Sequence, residues 1–209
     1  MTSALDFIHR WVAGADQTGP VLLLLHGTGG SEDDLLPLGG TLWPGASLLS
    51  PRGKILENGM PRFFRRLAEG VFDEEDLVNR TRELADFVEA GRKRYDLGSR
   101  PIVAVGYSNG ANIAASLLLL RPGVLAGAVL FRAMVPLTPE KLPDLAEVPV
   151  FLAGGRNDRI IPPENTERLA RMLETAGAAV ALHWSPGGHG MTAAEVDKSR
   201  QWLGKNFAH

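Results

Sequence analysis

A serine hydroxyl becomes a nucleophile only when a base takes its proton and a third group orients that base. Ser108, Asp158 and His189 stand where such a set can assemble, because each follows a short apolar run that reads as a strand. In a parallel sheet, residues after successive strands emerge together at the carboxyl edge. Ser108 is the apex of Gly106-Tyr107-Ser108-Asn109-Gly110, between the apolar Ile102–Val105 and the alanine- and leucine-rich Ala111–Leu120. That order is strand, tight turn, helix. Glycine at both flanks removes Cβ atoms that would collide in a strained turn, and the helix aims its first N–H groups where an oxyanion would form. Asp158 closes Gly154-Gly155-Arg156-Asn157-Asp158 after Val148–Ala153, and is the expected acceptor for the imidazole's second N–H. His189 lies in Pro186-Gly187-Gly188-His189-Gly190 after Ala178–Trp184. Of the other histidines, His9 and His183 fall inside expected strands, His26 begins a glycine loop and His209 is terminal. Taken singly, each of the three residues has a plain alternative as a turn or surface residue. Their joint placement in the order Ser, Asp, His carries the reading.

A second signal follows Val21–Leu25, in His26-Gly27-Thr28-Gly29-Gly30. Glycines there let backbone N–H groups point at a substrate oxygen. Phosphate binding at a helix start is the alternative, but the lysine of a phosphate loop is missing.

The elements that must position these residues alternate along the chain. Leu5–Val12 reads as a first strand and Val21–Leu25 as a central one, its unbroken apolar run implying cover on both faces. Ser31-Glu32-Asp33-Asp34 reads as a capping-box start to a short helix interrupted near Pro37, and Ser47–Ser50 as the next strand. Residues 51–72 show no clear periodicity and read as a long functional or mobile loop. Asp73–Tyr95 is an amphipathic helix with acid at its start and Arg92-Lys93-Arg94 at its end, a solvated terminus suited to the dipole. Gly127–Phe131 is a strand and 132–148 a proline-punctuated loop. A helix opens at Pro162-Pro163-Glu164 and stops at Gly177, and a last one, capped by Thr192, carries Val196, Trp202, Leu203 and Phe207. Strands alternating with helices predict a mostly parallel central sheet with helices on both faces, in one domain over residues 1–209.

Composition narrows the function classes. At 209 residues, 44% hydrophobic and 22% charged, the chain is ordinary for a globular protein. A formal net charge of −2 gives no electrostatic case for nucleic acid or an anionic membrane. The lack of cysteine removes disulfides, thiolate metal sites and a cysteine nucleophile. Met1–Arg10 has no basic start followed by an apolar core, and no run is long enough to span a bilayer, so a cytoplasmic protein is expected.

Together the motifs Leu23-Leu24-Leu25-His26-Gly27, Ser50-Pro51-Arg52-Gly53, Gly106-Tyr107-Ser108-Asn109-Gly110, Gly154–Asp158 and Gly188-His189-Gly190 resemble the α/β-hydrolase fold without an inserted cap domain. More narrowly, they resemble the phospholipase/carboxylesterase family that includes the acyl-protein thioesterases. Asn58-Gly59-Met60-Pro61-Arg62-Phe63-Phe64-Arg65-Arg66 is similar to its bacterial carboxylesterase branch, some members of which are linked to hydroquinone resistance. The resemblance implies an oxyanion hole from the backbone N–H groups of Thr28 and Asn109. Asn109 stands where thioesterase members often carry glutamine, a departure that leaves the backbone donor in place.

The expected activity is hydrolysis of small to medium carboxylic esters through an acyl-enzyme, with no metal and no organic cofactor. Met60, Phe63 and Phe64 of the 51–72 loop are the expected lining of an acyl or aryl pocket, with packing of the loop onto the core as the alternative. A thioesterase, a C–C bond hydrolase and a non-catalytic binding protein on the same scaffold are the rival readings. Trp202 and Phe207 either dock the last helix on the sheet, the favoured use, or serve a homodimer interface.

Overall fold

The computed structural model describes residues 6–208. Its elements run β1 (His9–Val12), β2 (Val21–Leu25), α1 (Leu36–Leu42), β3 (Ser47–Pro51), β4 (Ile55–Glu57), β5 (Met60–Arg62), β6 (Arg66–Ala68) and β7 (Val71–Phe72). They continue with α2 (Glu74–Arg94), β8 (Ile102–Tyr107), α3 (Asn109–Leu120), β9 (Gly127–Phe131), β10 (Pro149–Gly155), α4 (Pro163–Thr175), β11 (Ala179–Ser185) and α5 (Ala193–Phe207). Seven strands form one sheet in the order β1-β3-β2-β8-β9-β10-β11. Every pairing is parallel except that of β1 with β3.

The unbroken apolar runs have their expected cause. In β2, Val21, Leu23 and Leu25 belong to a core shared with α2, α3 and α4, while Leu22 and Leu24 belong to a second core shared with α1 and α5. Each strand residue alternates faces, and both faces are covered, so no polar position is left. Trp202 and Phe207 pack into that second core, docking α5 on the sheet. The stretch 132–148 carries no helix or strand, and among the described residues no further domain is inserted along the chain. Among those residues, too, no helix is long and apolar enough to cross a membrane.

Three expectations are corrected. The first strand begins at His9; of the residues expected to precede it, Leu5 lies outside the described ones. Ser31 does not cap α1: its hydroxyl donates to Asp34 Oδ1 at 2.7 Å within a turn, and the helix starts at Leu36 with Pro37 in its first turn. Proline there costs nothing, because an N–H in the first turn has no intrahelical acceptor. The 51–72 segment is not an unstructured loop but two antiparallel hairpins, β4–β5 and β6–β7. Asn58 (φ 52) and Gly59 (φ 79) make the first turn, both in the left-handed conformation that a two-residue hairpin needs.

Candidate active site

Ser108 sits between β8 and α3 at φ 53 and ψ −113, a strained conformation for a residue with a side chain. The flanking glycines are explained by what surrounds them. A Cβ on Gly106 would lie 2.7 Å from the backbone of Ala111, across the elbow. One on Gly110 would lie 1.9 Å from the carbonyl oxygen of Leu25, so glycine lets α3 pack against the end of the neighbouring β2.

The loops after β8, β10 and β11 bring three side chains into line. Ser108 Oγ lies 2.9 Å from His189 Nε2, and His189 Nδ1 lies 2.8 Å from Asp158 Oδ2. The Asp158 side chain is 1% exposed, whereas that of His189 is 22% exposed and faces the opening. Asp158 Oδ1 accepts the N–H groups of Ile160 (2.8 Å) and Ile161 (3.1 Å), which fixes the carboxylate. A carboxylate so held accepts a hydrogen bond from Nδ1–H, leaving Nε2 as the acceptor for the serine hydroxyl. Tyr107 Oη donates to the His189 carbonyl at 3.1 Å.

Thr28 and Asn109 line the same opening as Ser108 and His189. Asn109 begins α3, so its N–H has no acceptor within the helix. The glycine loop bearing Thr28 is held from below by His26, whose Nδ1–H donates to Gly27 O (2.6 Å) and whose Nε2 accepts from the Gly53 N–H (3.0 Å). Acceptance at Nε2 requires neutral imidazole, and burial pushes the His26 pKa down, against the Gly27 bond, which the cation could also make. From the side, the Gly29 N–H donates to Pro61 O at 2.9 Å and Arg62 Nη1 donates to Thr28 Oγ1 at 2.7 Å.

The pocket is not the one expected. Phe63 (2% exposed) and Phe64 (0%) lie in the core and do not line the cavity. Met60 packs against Gly29, outside the cavity. Phe63 lies against His26, tilted, with ring centroids 4.7 Å apart, and Phe64 meets Phe72 edge-on at 4.9 Å. The apolar lining of the cavity, about 240 Å³ in volume, comes from Phe72, Met134, Ile160 and Ile161, and Tyr107, Arg62 and Arg66 also line it. A second cavity of about 240 Å³ shares Gly70, Phe72 and Met134 with it and runs on along residues 135–138. Ile160, Ile161 and Met134 follow strands β10 and β9, the positional rule that singled out Asp158, so their sequence signal was available. Among the described residues, no group of three or more His, Asp or Glu is placed to hold a metal ion.

A mostly parallel sheet with the serine elbow after β8 is the α/β-hydrolase fold. The phospholipase/carboxylesterase family matches residues 8–207, and the chain belongs to that family, as its motifs suggested. The putative hydrolase MhqD of Bacillus subtilis is 53% identical over 182 residues, covering 87% of this chain and 91% of that protein. The crystal structure of the Bacillus cereus carboxylesterase superimposes with a TM-score of 0.94 at 53% identity, covering 96% of this chain and 95% of that one. A carboxylesterase from Mesorhizobium loti gives a TM-score of 0.87 at 32% identity, covering 94% of each chain.

Proposed function

We propose that the protein is a serine carboxylesterase acting on small to medium carboxylic esters. The observation that carries this reading is the line from Ser108 Oγ through His189 to Asp158, with spacings of 2.9 and 2.8 Å, opening on a partly apolar cavity. Membership of the phospholipase/carboxylesterase family supports it.

Ser108 Oγ attacks the ester carbonyl carbon while His189 Nε2 takes its proton. Asp158 holds the imidazole by its Nδ1–H and stabilises the imidazolium. The carbonyl π pair moves onto oxygen, where the backbone N–H groups of Thr28 and Asn109 receive it. As that pair returns, the C–O bond to the alcohol breaks and His189 gives the alcohol its proton. Water then repeats the sequence on the acyl-enzyme, releasing the acid and restoring Ser108. Among the described residues no inserted domain covers the cavity, and Ile160 and the β6–β7 turn are exposed parts of its lining.

The test is labelling by a fluorophosphonate together with turnover of p-nitrophenyl esters and matched thioesters of graded acyl length. One label on Ser108, lost in Ser108→Ala, with esters turned over faster than thioesters, is expected. Faster thioester turnover would reassign the leaving group. Labelling that persists in Ser108→Ala would discard the nucleophile.

A further inference from the structure

We propose that Arg132 is a positioning residue for His189, acting with Glu195 through the loop that carries the imidazole. The proposal rests on the reading of Ser108, His189 and Asp158 as an ester-cleaving set.

Arg132 is the first residue after β9, and its side chain and that of Glu195 are both 0% exposed. Its backbone adopts φ 57, the left-handed region that a residue with a long side chain seldom enters. Two of the bonds from the guanidinium go to the loop that carries His189. Nε donates to the carbonyl of Gly188 at 2.8 Å and Nη2 to that of Gly190 at 2.6 Å, the residues on either side of His189. Nη1 and Nη2 each also donate to Glu195, and Nη1 reaches the Ala153 carbonyl at the end of β10 at 3.3 Å. Glu195 accepts in turn from the N–H and hydroxyl of Thr192 at 2.8 and 2.7 Å, closing the capping box that starts α5. The loop is therefore gripped before His189, after it, and again where the helix begins.

A buried ion pair is a poor source of stability, because desolvation of both charges offsets their attraction and apolar residues of similar volume do as well. Burial opposes the charge of Glu195, yet hydrogen bonds from Arg132 and Thr192 hold its carboxyl below the ordinary carboxylate range. What an apolar pair cannot do is fix two carbonyls on either side of one residue. Nor can lysine, whose donors share a single nitrogen, whereas the planar fork of arginine reaches both at once. The glycines around His189 leave that loop little stiffness of its own, so the fork supplies it.

The experiment is the substitution Arg132→Lys, made alone and in His189→Ala, assayed on a p-nitrophenyl ester with melting temperature measured alongside. A displaced imidazole lowers kcat by about a hundredfold and leaves KM within about twofold. In His189→Ala the same change leaves the residual rate untouched, because the group it positions is gone. Where Arg132→Lys does not fold at the assay temperature, the double substitution Arg132→Met with Glu195→Met removes both charges, and the same fall in kcat is expected. A folded variant of either kind with kcat within about threefold of the unaltered protein overturns the proposal. So does an equal loss of rate in the His189→Ala background. Failure of the unaltered protein to take a fluorophosphonate label strikes instead at the hydrolase reading beneath it.

Discussion

The Phe63 N–H donates to Oδ1 of Asn109 at 2.8 Å, binding the segment after β5 to the residue that follows the serine. Both residues are 2% exposed, so the bond is dry. With Arg62 on Thr28 and Pro61 on Gly29, it makes the β4–β5 hairpin a brace for both backbone groups of the proposed oxyanion hole.

Asn109→Ala keeps the backbone N–H of residue 109 but leaves that of Phe63 buried without an acceptor. The expected cost is about 1–3 kcal/mol of stability, with kcat falling more than KM rises. Thermal unfolding and steady-state kinetics of the variant check this. An unchanged melting temperature would mean that the brace contributes nothing.

Asp158→Asn is expected to keep the fold, since Oδ1 still accepts the N–H groups of Ile160 and Ile161. The amide then turns its NH₂ toward His189 Nδ1 and enforces the wrong tautomer. A fall in kcat of about ten-thousandfold is expected. Activity near that of the unaltered protein would show that another carboxylate orients the base.

The walls and the core make opposite predictions for two neighbouring rings. Phe72→Ala opens the cavity and is expected to shift the kcat/KM ratio between bulky and short esters by roughly tenfold or more, about 1–3 kcal/mol. Phe64→Ala excavates the core and is expected to cost about 3–5 kcal/mol of stability, with the ester ratio unchanged. Melting temperatures and two-ester kinetics separate the pair, and a selectivity shift in Phe64→Ala alone would reverse the assignment.

His26 predicts an acid sensitivity. Its pKa in the folded protein is lowered, so between that value and the unfolded value of about 6.5 the unfolded chain binds the extra proton. Stability is therefore fully present above about pH 6.5 and declines below it, by at most about 1.4 kcal/mol per pH unit for one proton. Denaturant titrations between pH 7 and 5 are expected to show a shallower decline for His26→Asn. Equal slopes in the two proteins would remove His26 as the cause.

What the sequence made legible was whatever a local pattern determines. Val21–Leu25 betrays a strand covered on both faces, and Ser108, Asp158 and His189 stand in the turns and loops that follow strands, where a parallel sheet gathers them. What escaped depended on contacts made elsewhere. Strands of two or three residues, such as Val71–Phe72, are too short to show alternation. Phe64 and Phe72 look alike in sequence, and only the packing of the hairpins decides which one faces the cavity. Ser31 has the composition of a cap, yet Asp34 takes its hydroxyl. Arg132 opens a proline-punctuated stretch and gives no sign that its guanidinium is enclosed by a loop more than fifty positions on.

The two hairpins between β3 and α2 divide their work by position. The inner one, β4–β5, steadies the glycine loop, while the outer one, β6–β7, supplies Arg66, Gly70 and Phe72 to the groove, with Glu57 meeting both Arg62 and Arg66 at their junction. The outer hairpin thus shapes the groove without contributing to the brace. A change in its length or side chains would alter the groove, while the inner brace would still hold Thr28 and Asn109 of the proposed oxyanion hole. On the proposed reading, what the groove accepts and how the bond is broken are therefore set by different hairpins.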